Sequence, residues 1–428
     1  MSWYSDLNRT EKRTFIAAFG GWALDALDFM VFTFVISTLM HLWGISKAEA
    51  GMLGTVTLLF SAIGGWCAGI LADRYGRVKI LQITIIWFTV CTVLIGFAQN
   101  VEQIFVLRAL QGLGFGGEWA VGSVLMGEII RSEHRGKAVG TVQSGWAIGW
   151  GIAALLYTAA FTFLPENYAW RAMFWVGIIP ALLVVYIRKH VPEPAVFKKT
   201  QAIQAESADK ISPWAIFSPK MIKTTLLAAV LCSGIQGGYY AITTWLPTFL
   251  KTERNLSVIG TGGYLIVIIT GSFIGYLIGA YLTDRIGRRA NILVFTVLSC
   301  ISVYFYTQVE LTNTQMLFMG FPLGIAASGI FSGVGAYLTE LFPTAIRATG
   351  QGFAYNFGRG VGALFPTLVG YISQSHNLGY AIGLFAGSAY LVVFFTALLL
   401  PETKGRNLDW GDDLFKKPES DIKSTSTS

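Results

Sequence analysis

The sequence predicts an all-α membrane protein with twelve spanning helices in two related six-helix bundles. Three observations support this fold class: the composition is apolar, twelve long apolar runs follow one another, and the two halves repeat. Of the 428 residues, 54% are hydrophobic and 13% are charged, and the mean hydropathy is +0.57. A soluble domain usually carries about 25% charged residues. The composition therefore indicates a chain that lies largely within a bilayer.

The twelve apolar runs define the expected regions. A spanning helix needs about 20 mostly apolar residues. Such runs cover residues 15–40, 50–72, 79–98, 102–127, 138–162, 168–188, 223–250, 259–282, 290–309, 314–339, 348–373 and 377–400. The predicted regions are a cytoplasmic N-terminus (1–14), an N-terminal bundle (15–188), a cytoplasmic linker (189–222), a C-terminal bundle (223–400) and a cytoplasmic tail (401–428).

The positions of the lysines and arginines predict the orientation in the membrane. With the N-terminus inside, 25 of the 31 fall on the inner side, four fall on the outer side, and Arg108 and Arg359 lie within spans. Cytoplasmic loops carry an excess of positive residues. We therefore expect a multi-pass plasma-membrane protein, in a bacterial inner membrane, with both termini in the cytoplasm. Because these charges sit in short loops, the net charge of +7 does not indicate nucleic-acid binding.

Two pairs of similar segments show that the halves repeat. The string GILADRYGRVK, with Asp73, matches GAYLTDRIGRRA, with Asp284, at an offset of 211 residues. The string GEIIRSEHRGKAVG, with Glu128, resembles TELFPTAIRATGQG, with Glu340, at an offset of 212. A near-constant offset at two separate places indicates an internal duplication. Parallel six-span repeats around a central site are one architecture of secondary transporters.

Three motifs resemble those of the major facilitator superfamily. G-x-x-x-D-R-x-G-R-x-K at 69–79 is similar to the loop motif between the second and third spans of that family. R-x-x-Q-G-x-G-x-G at 108–116 resembles its fourth-span motif, and PETKG at 401–405 resembles a tail motif of its sugar and organic-ion members. The resemblance covers essentially the whole chain. It implies the major facilitator fold and a secondary transporter that works by alternating access.

A narrower resemblance indicates the kind of cargo. LDALDF at 24–29 and RALQGLGFGGEW at 108–119 resemble the sialate:proton and aromatic-acid:proton symporter branches of the family. YYAITTWLPTFL at 239–250 is similar to segments of bacterial organic-acid carriers. The resemblance implies proton-coupled uptake of a small organic carboxylate. An aromatic acid, muconate, lactate, nicotinate and sialate all remain open, and we expect a monomer without a cofactor.

Four charged residues within apolar runs are the candidate proton-coupling residues. Asp25 and Asp28 lie three apart, so they share one side of the first helix. A charge at the bilayer centre costs roughly 2.5–3.5 kcal/mol, so such residues face a partner or a water-filled cavity. Glu118 lies about 15 Å along the helix from Arg108 and needs another partner. In the related family the Arg108 motif is associated with proton coupling, with Asp25 or Asp28 as a reasonable counter-ion. Each residue could instead stabilise helix packing or orientation.

Arg359 is the candidate for binding a substrate carboxylate. It lies between glycines in the eleventh run, and its equivalent in the first half is Ala147. A planar, permanently charged guanidinium suits bidentate binding of a carboxylate. A static ion pair with a membrane carboxylate is the alternative. The candidate cavity-lining residues around it are Gln236, Tyr239, Tyr240, Trp245, Tyr355 and Asn356. As a set they favour an aromatic or unsaturated acid over a sugar.

The repeated motifs supply candidate gating residues at the predicted cytoplasmic ends. They are Asp73, Arg74, Arg77, Glu128, Arg135, Asp284, Arg285, Arg288, Glu340 and Arg347. We expect them to form ion pairs between the halves that hold the outward-facing state, because such pairs can switch between two discrete arrangements. The alternative is that they only set the topology.

Two other functional classes are alternatives to a proton-coupled importer, and a third is not indicated. An exporter of drugs or organic cations could use the same scaffold and acidic residues, but it would have no use for Arg359. A non-transporting nutrient receptor would bind without turnover. A membrane enzyme is not indicated, because the sequence contains no metal-ligand cluster, no nucleophile–base motif and no nucleotide-binding loop.

Overall fold

A computed structural model describes residues 2–45, 47–198, 201, 212–255 and 258–408. Within these residues the regular secondary structure is helical. Most of the predicted tail and the middle of the predicted linker lie outside the described residues.

Among the residues that the structure describes, twelve helical spans follow one another, and we label them α1 to α12. They are α1 (Arg9–Trp43), α2 (Lys47–Tyr75), α3 (Arg77–Ile95), α4 (Val101–Ile129), α5 (Arg135–Gln143 and Gly145–Phe163), α6 (Glu166–Trp175, Val176–Ile178 and Pro180–His190), α7 (Ile222–Thr252), α8 (Val258–Ile286), α9 (Arg288–Gln308), α10 (Asn313–Gly329 and Phe331–Leu341), α11 (Arg347–Gly362 and Leu364–Ile372) and α12 (Leu378–Leu399). Short helical turns cover Ser2–Ser5, Ser132–His134, Pro213–Phe217 and Thr344–Ile346.

Ten of the spans are long and apolar enough to cross a membrane by length and composition, counting described residues. The two others are α4, which is long but more polar, and α11, which is divided into segments of 16 and 9 residues. They carry three of the buried charged groups named above: Arg108 and Glu118 on α4, and Arg359 on α11. The spans that least resemble lipid-embedded helices are therefore those that bring charge into the centre of the molecule.

Prolines account for two of the breaks within spans. Pro180 begins the last segment of α6, after the 3-10 turn Val176–Ile178. Pro366 lies shortly after the break in α11, which falls between Gly362 and Leu364. A proline inside a helix lacks an N–H donor and clashes with the carbonyl four residues earlier. For Pro366 that carbonyl belongs to Gly362, so the helix breaks there.

The halves, α1–α6 and α7–α12, pack by equivalent contacts. Within the halves, α2 packs on α4 and α8 packs on α10. Gly116 allows the α2–α4 approach, because a Cβ there would overlap the Ser61 carbonyl oxygen. Between the halves, α2 packs on α11 and α5 packs on α8. The predicted twelve-helix architecture of two related bundles is therefore present, with both interfaces between halves related by the same duplication.

Candidate functional site

Three buried charged groups come together between the halves. Asp25 on α1 and Glu118 on α4 belong to the N-terminal half, and Arg359 on α11 belongs to the C-terminal half. Their exposed fractions are 0%, 3% and 1%. The carboxyl groups of Asp25 and Glu118 are neighbours that interact with one another, and both interact electrostatically with Arg359. The sequence analysis named each of these residues but did not predict that they form one cluster.

The hydrogen-bonding capacity of this cluster is not filled. Neither oxygen of the Asp25 carboxyl group has a hydrogen-bond partner among the described residues. On Arg359, Nε and Nη1 also lack a hydrogen-bond partner among the described residues. A buried charged donor without an acceptor is costly, because it has lost its contacts with water. Arg359 can therefore bind an additional acceptor such as a carboxylate.

Aromatic rings from both halves surround Arg359. Its guanidinium carbon lies 4.7 Å from the ring centroid of Phe115 on α4 and 5.1 Å from that of Tyr355 on α11. One helical turn away, the Trp119 and Tyr355 rings stack with centroids 3.4 Å apart and planes 15° apart. Sequence reasoning missed Phe115 and Trp119. Their spacing from Gln111 in steps of four, on one side of α4, was the available signal.

Most of the other predicted lining residues lie near this cluster. Gln236 donates from Nε2 to the Tyr355 carbonyl oxygen at 2.7 Å, and the Tyr240 hydroxyl donates to Gln236 Oε1 at 3.4 Å. Tyr240 also interacts electrostatically with Arg359. Tyr239 packs edge-on against Tyr240. These buried side chains connect α7 to the arginine-bearing segment of α11.

Asn356 and Trp245 occupy different surroundings from one another. Asn356 is fully buried, and its Nδ2 donates to the Gly352 carbonyl oxygen at 3.1 Å. Trp245 is only partly buried and donates from Nε1 to the Pro366 carbonyl oxygen at 2.8 Å. It packs against Gly370, beyond the break in α11. Trp245 therefore contacts the far segment of α11, beyond the break.

Asp28 belongs to a second hydrogen-bond network, separate from that of Asp25. Its Oδ2 accepts a hydrogen bond from Gln111 Nε2 at 2.7 Å, and Gln111 Oε1 accepts one from Arg108 Nη1 at 3.0 Å. The Arg108 guanidinium also lies 3.9 Å from the Phe32 ring centroid. Gln111 thus bridges the predicted cation and its predicted counter-ion. Sequence reasoning treated the two aspartates as a pair and assigned no role to Gln111.

A small cavity adjoins the first cluster on the side of the N-terminal half. Glu118, Trp22, Ser123 and Gln143 are among its lining residues. Its volume of about 10 Å³ is enough for about one water molecule. No group of three or more His, Cys, Asp or Glu side chains that could hold a metal ion occurs in the described part of the chain. The polar centre is therefore built from carboxyl, guanidinium, amide and aromatic groups.

The gating candidates form two ion clusters at one end of the bundle, which we call the latch end. In the first, Arg77 pairs with Asp73 at 2.9 Å and with Glu128 at 3.2 Å. Arg347 from the other half pairs with the same Glu128 at 3.3 Å. Asp73 also accepts hydrogen bonds from the backbone N–H and the hydroxyl of Thr349, at 2.8 and 2.7 Å. This cluster therefore ties α2 and α4 to α11.

The second cluster repeats the first with the halves exchanged. Arg288 pairs with Asp284 and with Glu340, both at 2.9 Å. Arg135 from the N-terminal half lies 3.6 Å from Glu340, and the Lys137 backbone N–H donates to Asp284 at 2.8 Å. In both clusters, the arginine seven residues after a motif glutamate thus pairs with the glutamate of the opposite half.

Two of the gating candidates lie outside these clusters. The Arg74 guanidinium packs over the neighbouring Tyr75 ring, 5.4 Å from its centroid. Arg285 makes no ion pair within the described residues, and its carbonyl oxygen accepts a hydrogen bond from Lys404. The loop motif therefore contributes one arginine per half to the ion clusters, Arg77 and Arg288.

Two glutamates that the sequence analysis did not single out hold the starts of α3 and α9. Glu193 accepts hydrogen bonds from the backbone N–H groups of Arg77 and Val78, at 2.9 and 2.8 Å. Glu402 accepts equivalent bonds from the two residues that begin α9, at 2.8 and 3.1 Å. A carboxylate is stabilised at a helix N-terminus by the free N–H groups and the helix dipole. The signal was the paired strings VPEP at 191–194 and LPET at 400–403.

Two duplicated six-helix halves with charged groups buried between them are the architecture of a multi-pass secondary transporter. Comparison with known proteins agrees. The model of the Major Facilitator Superfamily matches residues 18–279 and 262–413. The chain therefore belongs to the major facilitator superfamily, and it is a transporter by family, not an enzyme.

Relatives and solved structures cover nearly the whole chain. A probable 4-methylmuconolactone transporter of Cupriavidus pinatubonensis is 45% identical over 94% of this chain and 94% of that protein. A cis,cis-muconate transport protein of Acinetobacter baylyi is 31% identical, over 92% and 95%. The solved structure of the proton:xylose symporter XylE has a TM-score of 0.81 at 18% identity, covering 96% of this chain and 100% of that one. The last similarity concerns the fold.

Proposed function

We propose that this protein takes up a small organic carboxylate together with protons, by alternating access. The observation that supports this most is the state of Arg359, which is buried between the halves with Nε and Nη1 free of hydrogen bonds among the described residues. A guanidinium presents donors in a fork that matches a carboxylate. Relatives named for muconate and methylmuconolactone transport support an organic-acid cargo.

Asp25 and Glu118 are the proposed proton carriers. Two adjacent carboxylates in a buried site repel one another, and a shared proton removes that repulsion. The pair also lies within electrostatic reach of Arg359, so the charge on the arginine and the proton occupancy of the pair are linked. Asp28 is a weaker candidate, since Gln111 donates to its Oδ2 and links it to another cation.

Coupling follows from competition for Arg359. In the empty protein its positive charge offsets one negative charge of the Asp25–Glu118 pair. When a substrate carboxylate binds Arg359, that offset is lost, and the pair takes up a proton to restore neutrality. A neutral centre can be closed off from water at lower cost than a charged one. The halves then rearrange around the loaded site.

The latch end defines the side that is closed in this conformation. Both ion clusters join the halves there. If that end faces the cytoplasm, as the lysine and arginine distribution predicts, the structure has its cytoplasmic side closed. Release of substrate then requires the Glu128–Arg347 and Arg135–Glu340 pairs to separate. An exporter of organic cations is less compatible with this site, because Arg359 would repel a cation.

The experiment is uptake into proteoliposomes of radiolabelled benzoate, cis,cis-muconate and nicotinate, with and without an inwardly directed proton gradient. The wild-type protein should accumulate at least one of these acids, and only with the gradient. Arg359→Ala should raise the KM about 100-fold or more, because removing one partner of a buried ion pair costs about 3–5 kcal/mol.

A matched variant separates loss of the site from general damage. Arg254→Ala removes a guanidinium that donates to the Leu311 carbonyl oxygen, at a loop end away from the cluster. It should transport with wild-type affinity. Wild-type affinity in the Arg359 variant would refute the assignment of the carboxylate-binding residue. Accumulation of the acid without any proton gradient would refute the coupling.

A further inference from the structure

Two side-chain contacts join α4 of the N-terminal half to α11 of the C-terminal half, and they lie one helical turn apart. In one, the Arg359 guanidinium lies 4.7 Å from the Phe115 ring. In the other, the Trp119 and Tyr355 rings stack face to face, with centroids 3.4 Å apart. On each helix the residues that make the two contacts are four positions apart, which is about one turn of helix. The cation that can bind a carboxylate therefore adjoins two flat aromatic surfaces.

Each of the stacked residues is held by a group of its own half. Trp119 donates from its indole Nε1 to Gln143 Oε1 at 3.0 Å, and both residues belong to the N-terminal half. The backbone carbonyl of Tyr355 accepts a hydrogen bond from Gln236, and both belong to the C-terminal half. Both rings are 3% exposed. Because these bonds do not cross the halves, they are retained when the halves move as bodies.

The ring pair lies on the boundary that alternating access must open. Trp119 belongs to the N-terminal half and Tyr355 to the C-terminal half. When the halves part, two flat aromatic faces lose their contact and become available beside Arg359. Stacking on such faces favours a second flat π-system over a saturated chain, which cannot lie parallel to both rings at once.

We propose that Trp119 and Tyr355 form a slot for a flat, conjugated part of the substrate while Arg359 binds its carboxylate. This inference rests on the proposed function and narrows it: the protein prefers planar unsaturated or aromatic acids to saturated acids of the same size. The Arg359 guanidinium carbon lies 5.1 Å from the Tyr355 ring centroid. A carboxylate joined directly to a conjugated group can therefore reach the arginine while its flat part lies in the slot.

The test compares matched acids in the proteoliposome assay. The pairs are cis,cis-muconate with adipate and benzoate with cyclohexanecarboxylate, which differ in unsaturation at equal carbon number. Wild-type protein should show a KM about tenfold lower for the planar member of each pair, the upper range of one aromatic stacking contact. Trp119→Leu and Tyr355→Leu should each bring the two KM values to within about threefold, mainly by weakening the binding of the planar acid.

Two further variants keep the test specific. Trp119→Phe retains a flat face and should keep most of the preference, whereas Trp119→Leu should not. Trp150→Leu replaces a tryptophan that is similarly buried, at 4% exposed, but lies outside the slot, and it should keep the full preference. Monodispersity in detergent is checked for every variant, so that a loss of folding is recognised.

The possible outcomes distinguish failure of the slot proposal from failure of the proposed transport function. Equal wild-type KM values for planar and saturated acids would overturn the slot while leaving carboxylate transport standing. If folded Trp119→Leu and Tyr355→Leu lose both acids of a pair equally, the rings serve to close the pathway, and the slot is likewise overturned. Failure of the wild-type protein to take up any of the four acids would count against the proposed function itself.

Discussion

The latch end of this protein has equivalent charged residues in both halves, whereas the centre does not. At the latch end, the ion pairs of one half have counterparts in the other. Glu128 pairs with Arg347 across the halves at 3.3 Å, and Glu340 pairs with Arg135 at 3.6 Å. We therefore propose that these two contacts serve a movement in which both halves take part equally.

The acids at the centre have no acidic counterparts. The two offsets of 211 and 212 residues place Gln236 or Gly237 at the position equivalent to Asp25, and the offset of 212 places Ile330 at the position equivalent to Glu118. The C-terminal half thus has no carboxyl group at either position, whereas the N-terminal half has two buried ones. The proposed proton carriers therefore belong to one half alone.

The arginine at the centre is equally one-sided. The same offset makes Ala147 the equivalent of Arg359, so a small apolar side chain stands where the other half has a buried guanidinium. One substrate carboxylate and one coupled proton need only one binding arginine and one carboxyl pair, whereas the closing movement involves both halves. We therefore infer that the symmetric positions serve the movement of the halves and that the asymmetric positions serve the binding of substrate and proton.

The largest expected effect comes from removing one carboxyl group of the asymmetric centre. Glu118→Gln keeps the shape of the side chain but removes the neighbouring negative charge that favours protonation of Asp25, so Asp25 should stay ionised beside Arg359. Gradient-driven accumulation should be abolished, whereas exchange of internal for external acid should persist, because exchange needs no net proton movement. In the wild-type protein, each pH unit of gradient can support about tenfold accumulation for one coupled proton. The measurement is the steady-state accumulation ratio in proteoliposomes.

The control for this variant is Glu102→Gln. Glu102 is exposed in the first turn of α4, on the same helix as Glu118 but outside the cluster. Accumulation in this variant should equal that of the wild-type protein. If Glu118→Gln still accumulates the acid, the proton is carried elsewhere and the Asp25–Glu118 assignment is wrong.

The next effect tests the symmetry of the latch end. Arg347→Ala and Arg135→Ala each remove one ion pair that crosses the halves. Removing one partner of a buried pair costs about 3–5 kcal/mol. Both variants should therefore open the latch end, with a somewhat larger effect for Arg347, which is fully buried and has the shorter pair.

Spin labels at the exposed positions Tyr75 and Ile286 can report this opening, since they lie at equivalent ends of α2 and α8. The distance distribution between the labels should gain a longer component in both variants. A change in one variant alone would show that the two clusters do not act as equivalent latches.

A smaller effect is expected at Asp28. Asp28→Asn should retain gradient-driven accumulation, because Gln111 links this residue to Arg108 in a network separate from Asp25. The hydrogen bond to a charged acceptor contributes about 1.5–3 kcal/mol, so the variant should unfold at a lower temperature. Thermal unfolding in detergent and the accumulation ratio are measured together. Complete loss of accumulation in a folded variant would move the proton site to Asp28.

The smallest effect concerns the two glutamates that hold α3 and α9. Glu193→Gln and Glu402→Gln keep one acceptor oxygen but replace the other with an NH2 donor. Each variant therefore loses one backbone hydrogen bond, which contributes about 0.5–1.5 kcal/mol, and the charge at a helix N-terminus, which contributes about 0.3–1 kcal/mol. Each should lower the thermal stability slightly and by a similar amount, with transport largely retained. Thermal unfolding of the purified variants is the measurement. Clearly unequal shifts would show that these two contacts are not equivalent.

Much of the fold was predictable because the bilayer imposes a simple rule on the sequence. Runs of about 20 apolar residues marked all twelve spans, and the repeated motifs marked the halves. The break in α11 was less evident, although Pro366 was a sufficient signal for it. The break in α5 at Ser144 has no proline and depends on packing that the sequence does not display.

The candidate site was predictable as a set of residues but not as an arrangement. Asp25, Glu118 and Arg359 stood out because charge is rare in apolar runs. Their meeting depends on how α1, α4 and α11 cross, which no local pattern encodes. For the same reason Asp25 and Asp28 could not be separated, since neighbours on one helix can face different helices.

The proline that breaks α11 has an electrostatic consequence for the arginine before it. Because the helix ends at Gly362, Arg359 lies in its last turn. The carbonyl end of a helix carries partial negative charge, which favours a nearby cation. This field can stabilise the guanidinium in the interior while Nε and Nη1 stay free of hydrogen bonds among the described residues. By ending this segment of α11 at Gly362, Pro366 thus helps to stabilise the buried arginine, together with the neighbouring Asp25 and Glu118 carboxyl groups.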